Sequence, residues 1–328
     1  MSGPTVKGKP DRRTLPLFEI GPPVKAEPEV RRQSAPIWTE HKAMLIERYL
    51  YYFVMITKHG AYIDAFAGPQ EEVDGTERWS AKLVLESEPR WLQKFYLCDA
   101  NPTQVARLNK LVEEQPPRRK GDPKRIVEVL HGDANLLIRN VLERRSIKDK
   151  EASFALLDQR TFECDWRTVE ALSQYKPVGQ HKIELFYFLP NHWLDRAIAA
   201  TKDSQRLATW WGSDDWGSLR GMKPFARANK VADRLRDLGY ASVKPWPIMQ
   251  REQGGGSVMY YMIHATDHPE APKLMDRAYR RVLKPKERLE QLTLEVTLSG
   301  GRGAPSVMRL HRCRPAHAAF GPGDRERT

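Results

Sequence analysis

The sequence predicts an α/β fold: a seven-stranded, mostly parallel sheet with an antiparallel last strand and helices on both faces. Three observations predict it. The first is the stretch His59-Gly-Ala-Tyr-Ile-Asp-Ala-Phe-Ala-Gly-Pro-Gln70, a short apolar strand that breaks into a small-residue turn, the usual opening of a nucleotide-binding α/β domain. Ala67 and Gly68 keep bulk off that turn, so backbone can approach a ligand closely. The second is that three more segments repeat the pattern and close on a carboxylate: Phe95-Tyr-Leu-Cys-Asp99, residues 125–133 ending in Gly132-Asp133, and Ser153-Phe-Ala-Leu-Leu-Asp158. Their spacing is roughly the thirty residues of one βαβ step, which favours parallel pairing. Ligands sit beyond the carboxyl ends of such strands, so Asp64, Asp99, Asp133 and Asp158 are expected along one edge. The third is the brevity of the Gly254-Gly-Gly256 link between strands six and seven, which forces those two to pair antiparallel.

Taken in order, residues 1–37 are rich in Pro, Lys and Arg and cannot bury enough surface to offset their ordering entropy, so they are expected to form a disordered arm. A helix then starts at Trp38 with Thr39 as its cap and Leu45, Leu50 and Phe53 on its apolar side. The second strand runs into Asn101-Pro102, a helix start. Beyond the fourth strand, residues 165–175 are read as a short helix and 181–189 as a fifth strand stopped by Pro190. Residues 191–222 carry Trp193, Trp210, Trp211 and Trp216 around Gly212-Ser-Asp-Asp215, a long stretch for a loop. It reads either as a lid whose tryptophans stack on a flat substrate or as a hydrophobic insert packed on the domain. A basic helix over 224–239 stopped by Gly239, strands over 241–248 and 257–265, and a helix over 269–283 complete a domain spanning 38–285. Residues 286–328, short of large apolar side chains towards their end, read as a flexible tail.

With 328 residues, 37.8 kDa and 40% hydrophobic residues, the chain can bury a full-sized core. It has neither a membrane-length apolar run nor a secretion signal, so a cytoplasmic protein with no membrane partner is expected. Cys98, Cys164 and Cys313 are too scattered for a disulfide framework, and no His or Cys pair has ligand spacing, so no metal site is expected. A net charge of +12 and a pI near 9.6 make nucleic acid a candidate partner. The basic residues are dispersed, however, as they are on solvated helix faces that touch no nucleic acid. The absence of a Ser-His-Asp or Cys-His set argues against a hydrolase, and His41, His59 and His131, at element edges, read as structural or solvated.

Seven strands with a final antiparallel hairpin and four acidic strand ends resemble the Rossmann-like class I S-adenosylmethionine-dependent methyltransferases. More narrowly, Tyr62-Ile-Asp-Ala-Phe-Ala-Gly-Pro69, His131-Gly-Asp-Ala-Asn135, Leu157-Asp158 before Trp166, and Glu184-Leu-Phe-Tyr-Phe188 resemble the three-Cys-motif partner proteins. These are bacterial proteins encoded beside a protein with a three-cysteine, radical-S-adenosylmethionine-like motif, which the resemblance implies as a partner. It covers roughly residues 38–283. It implies S-adenosylmethionine as cofactor, with Asp64, Phe66, Ala67 and Gly68 forming the turn under its methionine end, Asp99 on the ribose and Asp133 on the adenine amine. It also implies Asp158 and Gln159 as the catalytic pair that orients a target amine by accepting its hydrogen bonds. Two departures stand out. Gln70 replaces the last glycine of the turn, and Asp158-Gln-Arg-Thr-Phe162 replaces the more usual Asp-Pro-aromatic, with Arg160 expected either to meet a phosphate or to pair with Glu163 or Asp165. The expected function is methyl transfer to nucleic acid or to a protein partner. The alternative is a catalytically inactive partner of the neighbouring three-Cys-motif protein. A dinucleotide oxidoreductase would need a fuller Gly-x-Gly-x-x-Gly turn than Ala67-Gly-Pro-Gln70.

Overall fold

A computed structural model describes residues 37–69, 79–190, 194–201, 204–250 and 257–283. The expected terminal arms lie outside those residues, apart from Ile37 at the boundary, and so do Gln70, Trp193, Gly254-Gly-Gly256 and Cys313.

The first helix, α1 (Ile37–Thr57), starts two residues before Thr39, which therefore lies inside it rather than capping it. Leu45, Leu50 and Phe53 are buried as expected. Strands β1 (Ala61–Asp64), β2 (Lys94–Asp99), β3 (Ile126–His131), β4 (Ser153–Leu157) and β5 (Glu184–Pro190) pair in parallel, and β7 (Val258–Thr266) runs antiparallel between β5 and β6 (Ser242–Met249). The sheet order is β3-β2-β1-β4-β5-β7-β6. The chain builds outward from β1 through β2 to β3, then crosses back to place β4 on the other side of β1. That reversal opens a crevice at the carboxyl ends of β1 and β4, where open α/β sheets take their ligands.

Both faces are covered, as period-two alternation along a fully buried strand demands. Tyr62, Phe95, Leu97, Phe154 and Phe186 pack under α1, α2 (Ser80–Glu86), α3 (Pro102–Glu113) and α9 (Ala271–Leu283). Their neighbours Ile63, Tyr96, Cys98, Leu157 and Tyr187 pack under α4 (Ala134–Glu143), α5 (Trp166–Gln174) and α8 (Pro224–Asp237). Pro245 and Pro247 sit on β6, an edge strand, where a missing N–H need not break a ladder on both sides.

The stretch 191–222 is not a long loop. Its described residues form α6 (Leu194–Ala200), α7 (Ser204–Trp211) and a 3-10 helix over Asp214–Leu219. Leu194 and Ile198, then Leu207, Trp210 and Trp211, fall at helical spacing and join the core beneath α4, α5 and α8. Trp210 meets Phe162 edge-on at 4.9 Å, and Arg234 lies between Trp166 and Trp211. The tryptophans 210 and 211 are therefore core residues and not a stacking lid. Gly212, at φ +82°, lets the chain leave α7 against Trp166, whose ring would lie 2.6 Å from any Cβ there.

Candidate cofactor and acceptor site

Asp64 ends β1, and Asp99 ends β2. Asp133 lies two residues past β3 and caps α4 by accepting from Asn135 N at 2.8 Å. Asp158 follows β4 directly. Asp99, Asp133 and Asp158 line one cavity of about 700 Å³ with Phe66, Gly68 and Asn135, a volume within the range of sites for small organic ligands. Ala67 and Asp64 are both buried.

Gly68 has a second task beyond sparing a ligand. Its N–H donates to Asp99 Oδ2 at 2.9 Å, and a Cβ there would come within 2.4 Å of that oxygen and 2.5 Å of Gln104 Cβ. Only glycine lets the turn approach closely enough to orient Asp99. The other carboxylate oxygen accepts from Asn101 N at 2.8 Å. An ionised carboxylate has about four acceptor sites, so these two bonds leave capacity for a ribose diol. Opposite, buried Asn135 fixes the far wall. Its amide donates to Asp133 and to Glu163 O, while its oxygen accepts from Asp165 N and Thr168 Oγ1, all within 2.9 Å. Arg206 and Arg160 complete the rim, and Arg206 pairs with Asp165 at 2.9 Å.

Asp64 is buried, with its carboxylate accepting from Tyr62 Oη at 2.8 Å and Phe66 N at 3.2 Å. Burial pushes its pKa from the ordinary 3.8 to about 7, with a smaller push from Asp158 and Asp99 and partial relief from those two hydrogen bonds. Burial also drives Tyr62 well above the usual phenol range.

The proposed catalytic pair separates. Asp158 is 5% exposed and forms a 2.7 Å ion pair with Lys42, itself 2% exposed, whose ammonium lies 5.0 Å from the ring centre of Phe188 and 4.7 Å from that of Tyr260. Gln159 turns into the core: its oxygen accepts from Cys164 N at 3.1 Å and its nitrogen reaches Phe188 O at 3.5 Å. The structure thus brings together Asp64, Phe66, Gly68, Asp99, Asp133 and Asp158, and places Gln159 away from the cavity.

Sequence reasoning did not single out Lys42, Gln104, Phe188 or Tyr260 at this site. Nothing local marks Lys42, which meets Asp158 across 116 positions. Among the described residues no group of three or more His, Cys, Asp or Glu is arranged to hold a metal ion, and no helix is long and apolar enough to cross a membrane.

No family model and no curated protein matches the chain. Several solved structures are similar to it, three of which follow. One is the small RNA methyltransferase HEN1, at 15% identity and a TM-score of 0.38 over 69% of this chain and 26% of that one, so the chain spans about a quarter of that protein's length. Another is the methyltransferase domain of a bacterial Hen1, CtHen1-C, at 13% identity and a TM-score of 0.38 over 68% of this chain and 98% of that one. The third is a candidate class I S-adenosylmethionine-dependent methyltransferase of Listeria monocytogenes, at 12% identity and a TM-score of 0.35 over 75% and 64% of the two chains. Identities this low assign no activity.

Proposed function

We propose that the chain is an S-adenosylmethionine-dependent methyltransferase acting on nucleic acid or on a protein partner. One observation carries this reading: Asp99, Asp133 and Asp158 converge from three strand ends on a single cavity of about 700 Å³ at the reversal of the sheet. When bound, the cofactor supplies an electrophilic methyl group on a good leaving group, so the protein's contribution is alignment more than acid-base work. Asp99 holds the ribose hydroxyls through its remaining acceptor sites, positioned by Gly68 N and Asn101 N. Asp133 accepts from the adenine amine, and Asp64 and Phe66 support the turn beneath the methionine end. Asp158 orients the acceptor nitrogen.

A second reading has its own support. The Lys42–Asp158 pair and the committed amide of Gln159 suit a fold that binds the cofactor without turnover and serves as a partner. The partner would be the three-Cys-motif protein that the sequence resemblance points to. Incubation with methyl-labelled S-adenosylmethionine and separate RNA, DNA and protein fractions distinguishes the two. Label in one fraction, lost in Asp158→Ala, supports the enzyme. Cofactor retention by the chain with no label in any acceptor, the chain itself included, supports the binding partner.

A further inference from the structure

Lys42 occupies the position beside Asp158 that the methyltransferase reading gives to an acceptor nitrogen. Its Nζ lies 2.7 Å from Asp158 Oδ1 and faces the rings of Phe188 and Tyr260 at 5.0 and 4.7 Å. A carboxylate with two aromatic faces around a lysine nitrogen is the arrangement that favours an alkylated ammonium, because ring quadrupoles attract a diffuse cation. A small void of about 30 Å³ is lined by Lys42, Asp64, Phe66, Gly68 and Asp158 among others. Phe66, Gly68 and Asp158 also line the large cavity, so the void and the cavity share a wall. A void of this size is large enough to hold a water or another small group.

We propose that Lys42 is a methyl acceptor of the chain's own site. The proposal rests on the methyltransferase reading above and names an acceptor for it, the ε-amine of an internal lysine. Nζ gives a proton to Asp158 Oδ1 and takes the methyl group. A C–N bond forms as the donor's C–S bond breaks, leaving a neutral thioether, and Asp158 passes the proton to solvent through the cavity it lines. Each methyl group gained replaces an N–H and spreads the cation, and Phe188 and Tyr260 hold such a product better than the parent ammonium.

The test uses the full native chain, with a full-length Lys42→Arg variant as its control. The purified protein is incubated with S-adenosylmethionine carrying a deuterated methyl group, and its intact mass and peptides are followed, while calorimetric titration of S-adenosylhomocysteine measures cofactor-site binding separately. The proposal predicts heavy methyl groups on the peptide holding Lys42, or a Lys42 already methylated in the purified chain, and loss of that label in Lys42→Arg, which keeps a cation beside Asp158. Cofactor-site binding with Lys42 unmodified overturns the proposal and leaves the methyltransferase reading standing. Absence of binding together with an unmodified Lys42 overturns both.

Discussion

The carboxyl edge of the sheet is built differently on the two sides of the reversal between β1 and β4. On the β1–β3 side, Asp99 and Asp133 are held by backbone amides at their own turns and by the amide of Asn135, and they face the large cavity. On the β4–β7 side, Asp158 also lines that cavity but is paired with buried Lys42, whose ammonium is flanked by Phe188 and Tyr260, and Gln159 is used up inside the core. One half leaves acceptor sites open to the cavity, and the other commits its polar groups largely to internal partners. The same row of acidic strand ends is thus built in two ways: carboxylates facing the cavity on one side, and a buried ion pair on the other.

The largest expected effect breaks the closed side. Lys42→Met leaves Asp158 as a buried carboxylate without its ammonium and should cost about 3–5 kcal/mol of stability in denaturant unfolding. Lys42→Met combined with Asp158→Leu should recover most of that loss, since replacing both members of a buried pair by apolar groups is often nearly neutral. Unchanged stability in the single variant would mean that the pair is not buried as described.

Next comes Asp64, which lies between the two sides. Its folded-state pKa, about 7, is above its ordinary 3.8. Folding therefore favours the protonated form, so its contribution to stability is full below about pH 4 and is lost as pH rises through about 7. Asp64→Asn removes that titration. Measured against the variant, the native chain should lose on the order of 2–4 kcal/mol between those limits. Parallel pH profiles would contradict the burial of this carboxyl.

On the open side the effects move from stability to binding. Asp99→Ala should weaken S-adenosylmethionine binding by about 2 kcal/mol or more, the scale of lost charge-assisted hydrogen bonds, with a smaller change in unfolding. The smallest effect concerns the turn that Asp99 anchors. Asn101 caps α3 by accepting from Thr103 N at 2.9 Å, and Asn101→Ala should cost about 1 kcal/mol in thermal unfolding.

Much of the fold was legible because its signals are local. The strand-turn of residues 59–69, the acidic strand ends and the forced hairpin of β6 and β7 each follow from residues a few positions apart, and the open side of the site came with them. The 191–222 insert was harder, because Gly212-Ser-Asp-Asp215 punctuates the sequence like a loop while Leu207, Trp210 and Trp211 carry a short helical period. The closed side was not legible at all. Lys42, on α1, meets Asp158 only through the tertiary fold, Phe188 comes beside them through the parallel pairing of β4 and β5, and Tyr260 through the antiparallel pairing of β7 with β5. Gln159 sits next to Asp158 in sequence, yet the chain leaves β4 so as to turn its amide towards Cys164 and Phe188. Neighbouring positions did not share a role, and distant ones did.

The most direct measurement is calorimetric titration of S-adenosylmethionine into the native chain and into Asp99→Ala, with unfolding of both followed in parallel. The account predicts saturable one-to-one binding by the native chain and marked weakening in a variant that remains folded. No binding by the native chain, or equal binding by both, would contradict the assignment of the open carboxyl edge as the cofactor site.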